Sequence, residues 1–184
     1  WKNYFGGQST IHGVDINFRC KVFEEDRISV HIGDQSDPEF LQSLGTEFGP
    51  FDIIIDHGSH RMNDQIASLQ HLWKYVKNGG VYICEDTHTS YFSRFGGGYL
   101  KPGTFAEHIK VKIDQMHMWW SGRMSEEDTS VWTKSLKKLT YYPAIVFLHK
   151  DDIKPPTAMW SEDGEIRREH PKTLYFNAED DPTG

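Results

Sequence analysis

Two short segments concentrate the side chains that could do chemistry. His57 and His60 are separated by two residues, and Glu85 and Asp86 are adjacent further along the chain. Two imidazoles and two carboxylates could hold a divalent cation or supply a general base. The adjacent carboxylates repel each other unless a cation or a basic group compensates them, which favours a metal. The alternative is that His60 and Asp86 simply pair to satisfy buried polar groups.

The kind of ion depends on which of these side chains ligate it. A site made mainly of carboxylates suits Mg²⁺ or Ca²⁺. A ligating His57 would shift the preference towards Mn²⁺, Fe²⁺ or Zn²⁺, because imidazole is a softer ligand than carboxylate.

Acids or imidazoles follow all four apolar runs that we predict to be strands, at residues 11–16, 28–32, 51–55 and 81–84. Ligands of open α/β sheets bind at the carboxyl ends of the strands, so these residues predict one site. Asp15 could accept hydrogen bonds from the two hydroxyls of a ribose, and Asp34 with Gln35 could contact an adenine edge. Each acid could instead cap the next helix or turn.

The segments between the strands predict helices. A short helix is expected at residues 19–26, and Asp37 followed by Pro38 predicts a helix to Phe48. An amphipathic helix with its apolar stripe from Ile66 to Val76 is expected to end at residues 78–80. The run 51–55 indicates a strand buried on both faces. This alternation predicts an α/β fold, Rossmann-like and doubly wound, whose mostly parallel sheet has helices on both faces.

The pattern changes after Cys84. A polar, aromatic and glycine-rich loop at residues 88–103 precedes a helix expected at 104–120. Two apolar runs around Pro143, at 136–142 and 144–149, predict a C-terminal antiparallel strand pair. Residues 151–184 are rich in proline and acids and indicate an extended tail. The expected organisation is therefore one domain over residues 1–150 with a C-terminal extension over 151–184.

Composition limits the partners and the compartment. The chain has 184 residues, with 20 Lys and Arg against 27 Asp and Glu, which gives a net charge of −7. This charge argues against bulk binding of nucleic acid or of an anionic membrane. Neither a membrane-spanning run nor a secretory leader is apparent, and Cys20 and Cys84 lack metal or redox spacing. We therefore expect a cytoplasmic protein with reduced cysteines, a small-molecule partner and a possible homo-oligomeric state.

Three segments together resemble class I S-adenosylmethionine-dependent methyltransferases. They are residues 51–60, which end in Asp56-His57-Gly58-Ser59-His60, residues 79–91 around Glu85-Asp86, and the glycine-rich residues 95–105. The branch they resemble most is the metal-dependent sugar O-methyltransferases of macrolide biosynthesis, of the mycinamicin and tylosin type. Proteins labelled cephalosporin hydroxylase are related to that branch. The resemblance covers about residues 1–150.

The resemblance implies metal-assisted methyl transfer from S-adenosylmethionine to a hydroxyl of a sugar or another small natural product. It implies that His60 is the general base and that loop 88–103 closes over the acceptor. The implied metal is Mg²⁺, with Mn²⁺ or Fe²⁺ as alternatives. The implied metal ligands are His57, Glu85 and Asp86, and the implied cofactor-binding residues are Asp15, Asp34, Gln35 and Asp56.

Two departures from the family pattern affect these expectations. The family usually reads Asp-Asp-Gly-Ser-His, and His57 replaces the second Asp, which is a metal ligand. The family's glycine-rich first strand and turn would lie upstream of Trp1, so we expect upstream sequence to be missing. Two alternative functions are a degenerate, non-catalytic binding module and an iron hydroxylase with two His ligands and one carboxylate.

Overall fold

A computed structural model describes residues 1–120 and 130–169 of the chain. Within these residues there is a parallel two-stranded sheet, a four-stranded sheet and a hairpin. The strands are β1 (Ile11–Asp15), β2 (Ile28–Ile32), β3 (Phe51–Asp56), β4 (Val76–Glu85), β5 (Leu136–Tyr142), β6 (Ile145–Lys150), β7 (Ala158–Glu162) and β8 (Glu165–Glu169). The helices are α1 (Lys2–Phe5), α2 (Pro38–Phe48), α3 (Met62–Leu72), α4 (Phe105–Met116) and α5 (Val131–Ser135).

The α/β fold class is confirmed. The four-stranded sheet has the order β3-β4-β6-β5, in which β3 and β4 are parallel and β6 is antiparallel to both β4 and β5. The predicted C-terminal antiparallel pair is therefore β5 and β6. The register pairs Ile55 with Ile83 and Asp56 with Cys84, so β3 and β4 end side by side.

One face of the four-stranded sheet forms the core. Tyr82 and Cys84 of β4 and Val146 and Leu148 of β6 are fully buried on this face. The same cluster includes buried residues of α2, α3, α4 and α5. Sequence alternation explains the arrangement, because every second residue of a strand points to the same face.

The prediction that residues 51–55 are buried on both faces is wrong. The side chains of Ile53 and Ile55 are 39% and 37% exposed. β3 is an edge strand of the four-stranded sheet, and among the described residues α2 to α5 all contribute to the core on the opposite face. The expected helices on both faces are therefore seen on one face in the described part of the chain.

The boundary between α3 and β4 also differs from the prediction. α3 ends at Leu72, a 3₁₀ turn follows at Trp73–Tyr75, and β4 already begins at Val76. The apolar stripe continues past the end of the helix because Val76 pairs with Phe51 and is buried as a strand residue. An irregularity of the β3–β4 ladder contains Gly79, whose φ of +84° favours glycine.

Other segments adopt shorter or different elements than expected. The short helix predicted at 19–26 is a 3₁₀ segment, Phe18–Phe23, and the helix predicted to 120 divides into α4 and a 3₁₀ turn, Met118–Trp120. The predicted extended tail contains the β7–β8 hairpin, and its residues 170–184 lie outside the described part. No helix of the described residues is long and apolar enough to span a membrane. Cys20 and Cys84 are free thiols, as expected.

The core assignment predicts a large stability loss for Leu148→Ala. Leu148 is fully buried between strands and helices, so the substitution should lower the free energy of unfolding by about 2–5 kcal/mol through lost burial and a residual cavity. The measurement is urea denaturation followed by circular dichroism. The matched control is Leu100→Ala, which removes the same atoms from a side chain that is 59% exposed. Equal losses for the two variants would contradict this placement of the core.

Candidate metal and cofactor site

The parallel pairing of β3 and β4 brings the two chemistry-bearing segments to one edge of the sheet. The imidazole of His57, directly after β3, lies between the carboxylates that end β4. Its Nδ1 atom is 3.5 Å from Oε2 of Glu85, and its Nε2 atom is 3.2 Å from Oδ2 of Asp86. Only the protonated ring can donate to both carboxylates at once. His57 thus faces the predicted acidic pair with both ring nitrogens.

His60 approaches the same carboxylate. Its Nε2 atom is 3.5 Å from Oδ2 of Asp86. His57, His60 and Asp86 each offer one potential ligand atom, and these three atoms lie within 4.8 Å of one another. This mixed set of nitrogen and oxygen donors fits a divalent cation. The structure therefore unites His57 and Asp86 as predicted and adds His60 to the cluster, while Glu85 contacts His57 at its margin.

Both segments are held in an uncommon backbone conformation. His60 has a φ of +61° and Asp86 a φ of +53°, in the left-handed region that residues other than glycine rarely adopt. The hydroxyl of Thr89 donates to the carbonyl oxygen of Asp86 at 2.7 Å and lies 3.2 Å from that of His60. Such conformations persist where the surrounding structure fixes them. Thr89 therefore links the two segments through their backbones.

The surroundings of His60 determine which ring nitrogen can act. Its Nδ1 atom is buried and has no hydrogen-bond partner among the described residues. The edge of the ring packs against Phe95, at a centroid distance of 6.1 Å, so the glycine-rich loop forms one wall of the site. The Nε2 atom faces the carboxylate of Asp86.

His88 also approaches the site, although the sequence interpretation noted it only as a strand-end residue and gave it no role. Its Nδ1 atom lies 3.8 Å from Oδ1 of Asp86, on the other oxygen of the shared carboxylate. The signal was present, because His88 follows Asp86 by two residues at a strand end that had already been singled out. The 3₁₀ turn Thr87–Tyr91 brings it back towards the site.

Asp15 and Asp34 are exposed and end or follow the strands of the two-stranded sheet. The Oδ1 atom of Asp15 accepts from the backbone N–H of Asn17 at 2.7 Å. The Oδ1 atom of Asp34 accepts from both the N–H and the hydroxyl of Ser36 at 2.8 Å, and these bonds lower the pKa of Asp34. The turn-capping alternative is thus realised at both positions. Their cofactor-binding roles stay predictions.

Gln35 and Asp56 lie beneath the site. Asp56 is buried, and burial raises the pKa of its carboxyl group. Its Oδ2 atom accepts from the Tyr82 hydroxyl at 3.0 Å, and its Oδ1 atom accepts from Nε2 of Gln35 at 3.2 Å. The cofactor contacts predicted for Gln35 and Asp56 stay predictions, and the structure shows instead that the two side chains bind each other.

No protein-family model matches the chain. Demethylmacrocin O-methyltransferase of Streptomyces fradiae is 43% identical over 98 residues, which are 53% of this chain and 24% of the relative. The 8-demethyl-8-alpha-L-rhamnosyl tetracenomycin-C 2'-O-methyltransferase of Streptomyces olivaceus is 30% identical over 151 residues, which are 82% of this chain and 39% of the relative.

A solved structure agrees with these relatives. MycE methyltransferase from the mycinamycin biosynthetic pathway, in complex with Mg and SAH, superposes with a TM-score of 0.72 at 33% identity, over 78% of this chain and 38% of MycE. The resemblance to the macrolide sugar O-methyltransferases is confirmed. The chain spans well under half the length of these relatives.

The link between the two site segments predicts that Thr89→Val disturbs the site. The substitution leaves the carbonyl groups of His60 and Asp86 without their shared donor and should cost about 1–3 kcal/mol of stability. It should also shift the ring resonances of His60 in NMR spectra. Thr133→Val is the matched control, since the buried Thr133 hydroxyl donates to the carbonyl oxygen of Gln115 at 2.8 Å, at α4. If His60 resonances moved equally in both variants, Thr89 would have no special link to the site.

Proposed function

We propose that the chain carries the catalytic site of a metal-assisted, S-adenosylmethionine-dependent O-methyltransferase that acts on a sugar hydroxyl of a natural product. The observation that carries the proposal is the convergence of His57, His60 and Asp86 within 4.8 Å at the ends of β3 and β4. The relatives support it, since one is a demethylmacrocin O-methyltransferase and another a 2'-O-methyltransferase of a rhamnosyl tetracenomycin. MycE has also been solved with Mg, SAH and Mycinamycin VI together.

His57 and Asp86 of this cluster would hold the divalent cation, together with Glu85, whose Oε2 atom lies 3.5 Å from Nδ1 of His57. When bound, such an ion stabilises the deprotonated form of a coordinated hydroxyl group. MycE was solved with Mg, whereas His57 in place of the family's aspartate replaces an anionic oxygen ligand by a neutral nitrogen ligand. Mn²⁺ and Fe²⁺ are therefore the alternative ions for this chain.

His60 is the general base in this proposal. Its Nε2 atom takes the proton of the acceptor hydroxyl as the oxygen attacks the sulfonium methyl group in line. The new O–C bond forms while the C–S bond breaks, so S-adenosylhomocysteine leaves and the proton remains on the His60 ring. The ring packs edge-on against Phe95, and its Nε2 atom lies on the side of the Asp86 carboxylate.

The exposed acids and the glycine-rich loop complete the proposal. Asp15 would accept hydrogen bonds from the cofactor ribose, and Asp34 would lie on the adenine side. The loop at residues 88–103 presents exposed aromatic rings, which suit the apolar faces of a sugar. Tyr91, Phe92 and Tyr99 are the rings concerned.

The remaining expectations concern organisation and location. We place the methyltransferase-like domain at residues 1–150 and the extension at 151–184, because β6 ends at Lys150 and the β7–β8 hairpin follows it. The net charge of −7 favours a small-molecule acceptor over nucleic acid or an anionic membrane. We also propose that the protein is cytoplasmic. Homo-oligomer formation stays a prediction.

A second candidate function rests on the same cluster. Two histidines and one carboxylate that surround one position are the ligand type of non-haem iron oxygenases, and His57, His60 and Asp86 have this composition. Metal analysis separates the two functions. Iron-dependent oxygen consumption without S-adenosylmethionine would support the oxygenase. Methyl transfer that is lost on chelation and restored by Mg²⁺ or Mn²⁺ would support the methyltransferase.

The proposed roles predict that His60→Ala and Asp15→Ala fail in different ways. His60→Ala should lower kcat by about 10²–10⁴-fold, the contribution of a positioned general base, with unchanged cofactor affinity. Asp15→Ala should weaken S-adenosylmethionine binding by about 1–3 kcal/mol through the lost ribose contacts. Calorimetry with the cofactor and methyl transfer to demethylmacrocin or Mycinamycin VI are the measurements. A His60→Ala variant with full turnover would remove His60 from the mechanism.

The identity of residue 57 predicts the metal preference. His57→Asp restores the family's usual oxygen ligand and should raise the affinity for Mg²⁺ relative to Mn²⁺ by about tenfold, because Mg²⁺ is the harder cation. The dissociation constants of both ions are measured by calorimetry. His71→Asp, on α3, makes the same change of residue outside the metal cluster and should leave the ratio unchanged. An unchanged ratio in His57→Asp would show that residue 57 does not ligate the ion.

A further inference from the structure

The geometry points to Gln35 as a positioning residue for the loop between β3 and α3. This loop carries His57 and His60, and Gln35 holds it in place. Gln35 lies in the turn that follows β2 of the two-stranded sheet, whereas the loop follows β3 of the four-stranded sheet. The inference rests on the proposed function in one respect, namely that this loop supplies metal-binding and catalytic side chains.

The carboxamide of Gln35 binds three different parts of the structure. Its Nε2 atom donates to Oδ1 of Asp56 at 3.2 Å and to Oγ of Ser68 on α3 at 3.0 Å. Its Oε1 atom accepts from the backbone N–H of Ser59, which lies between the two histidines in sequence. Both amide hydrogens and an oxygen lone pair are therefore engaged. One side chain connects the end of β3, the buried face of α3 and the middle of the loop.

Packing leaves no free space between this carboxamide and the loop. A Cβ atom built on Gly58 would overlap the carboxamide of Gln35, with Oε1 as its nearest atom. The backbone of Gln35 is fixed as well, because the Ser68 hydroxyl lies 3.1 Å from its carbonyl oxygen. The loop backbone consequently rests directly against a side chain that is tied to α3.

The partner of Gln35 is itself anchored from the opposite side. Asp56 accepts from the hydroxyl of Tyr82, a fully buried residue of β4. The supporting contacts thus come from β2, α3 and β4 and meet at the base of the loop. A displacement of the loop would change the distances from His57 and His60 to Asp86, which are 3.2 Å and 3.5 Å. Contacts that orient metal ligands in this way typically change metal affinity by about 10–100-fold when removed.

A merely structural role would predict a different result. Gln35 would then satisfy buried polar groups, and its loss would lower stability without changing the position of either imidazole. To distinguish the two roles, a property of the loop itself is measured in a Gln35 variant. The same property is then measured in a control variant that loses a similar buried hydrogen bond far from the loop. Ser135→Ala provides that control, since it removes the partner of a buried hydrogen bond from Nε1 of Trp73, at the end of α5.

The first experiment uses the metal-free protein and NMR. Gln35→Met keeps the length of the side chain and removes its hydrogen bonds. It should accelerate hydrogen exchange of the Ser59 amide by about tenfold or more, as expected for a lost hydrogen bond, and shift the ring resonances of His57 and His60. Ser68→Ala, a milder variant, should act in the same direction with a smaller effect. Ser135→Ala should change neither.

The second experiment is a titration with Mn²⁺ by calorimetry. Gln35→Met should weaken Mn²⁺ binding by about 10–100-fold, whereas Ser135→Ala should keep the affinity of the unsubstituted protein. Unchanged Ser59 exchange and unchanged histidine resonances in Gln35→Met and Ser68→Ala would overturn the inference. If the unsubstituted protein bound no Mn²⁺ while the NMR effects were present, the positioning role would stand and the metal role in the proposed function would be wrong.

Discussion

The parallel pairing of β3 with β4 is the constraint on which the site depends. Pairing Asp56 with Cys84 makes both strands end at the same level, so the residues that follow them share one edge of the sheet. His57 then meets Glu85 and Asp86 without any long-range adjustment. A shift of the register by one residue would turn the side chains of a strand to the opposite face. The buried Tyr82 and Cys84 oppose such a shift because they belong to the core.

Electrostatic balance explains why histidines gather around this pair of carboxylates. Glu85 and Asp86 bring two carboxylates to a strand end, and the ring nitrogens of His57 lie 3.5 Å and 3.2 Å from them. The nearby cationic or coordinating groups are imidazoles, which can share a proton or bind a metal. A neutral imidazole at residue 57 also makes the donor set one charge less negative than the family's aspartate would. This single position therefore affects both the charge of the site and the type of ion that suits it.

The sequence predicted those parts of the structure that depend on local patterns. The four apolar runs are strands, and α2 begins after Asp37 as expected. The proximity of His57 and Asp86 could also be predicted, because the ends of neighbouring strands can be identified from the sequence. The exposure of Ile53 and Ile55 could not be predicted, because an apolar run does not show which strand lies at a sheet edge. The end of α3 was missed because Val76 satisfies a helical stripe and a buried strand equally well. The inward direction of Gln35 depends on long-range contacts with Asp56 and Ser68, which no local pattern contains.

His57, His60, Glu85 and Asp86 all belong to the β3–α3–β4 unit or directly follow one of its strands. Asp15 and Asp34, in contrast, end or follow the strands of the two-stranded sheet. In evolutionary terms, the two groups of residues can vary independently over most of their positions. An exchange such as aspartate to histidine at residue 57 alters the ion-binding unit and leaves the β1 and β2 strand ends untouched. A substitution at residue 57 therefore changes the donor atoms at the β3–β4 edge while Asp15 and Asp34 stay as they are.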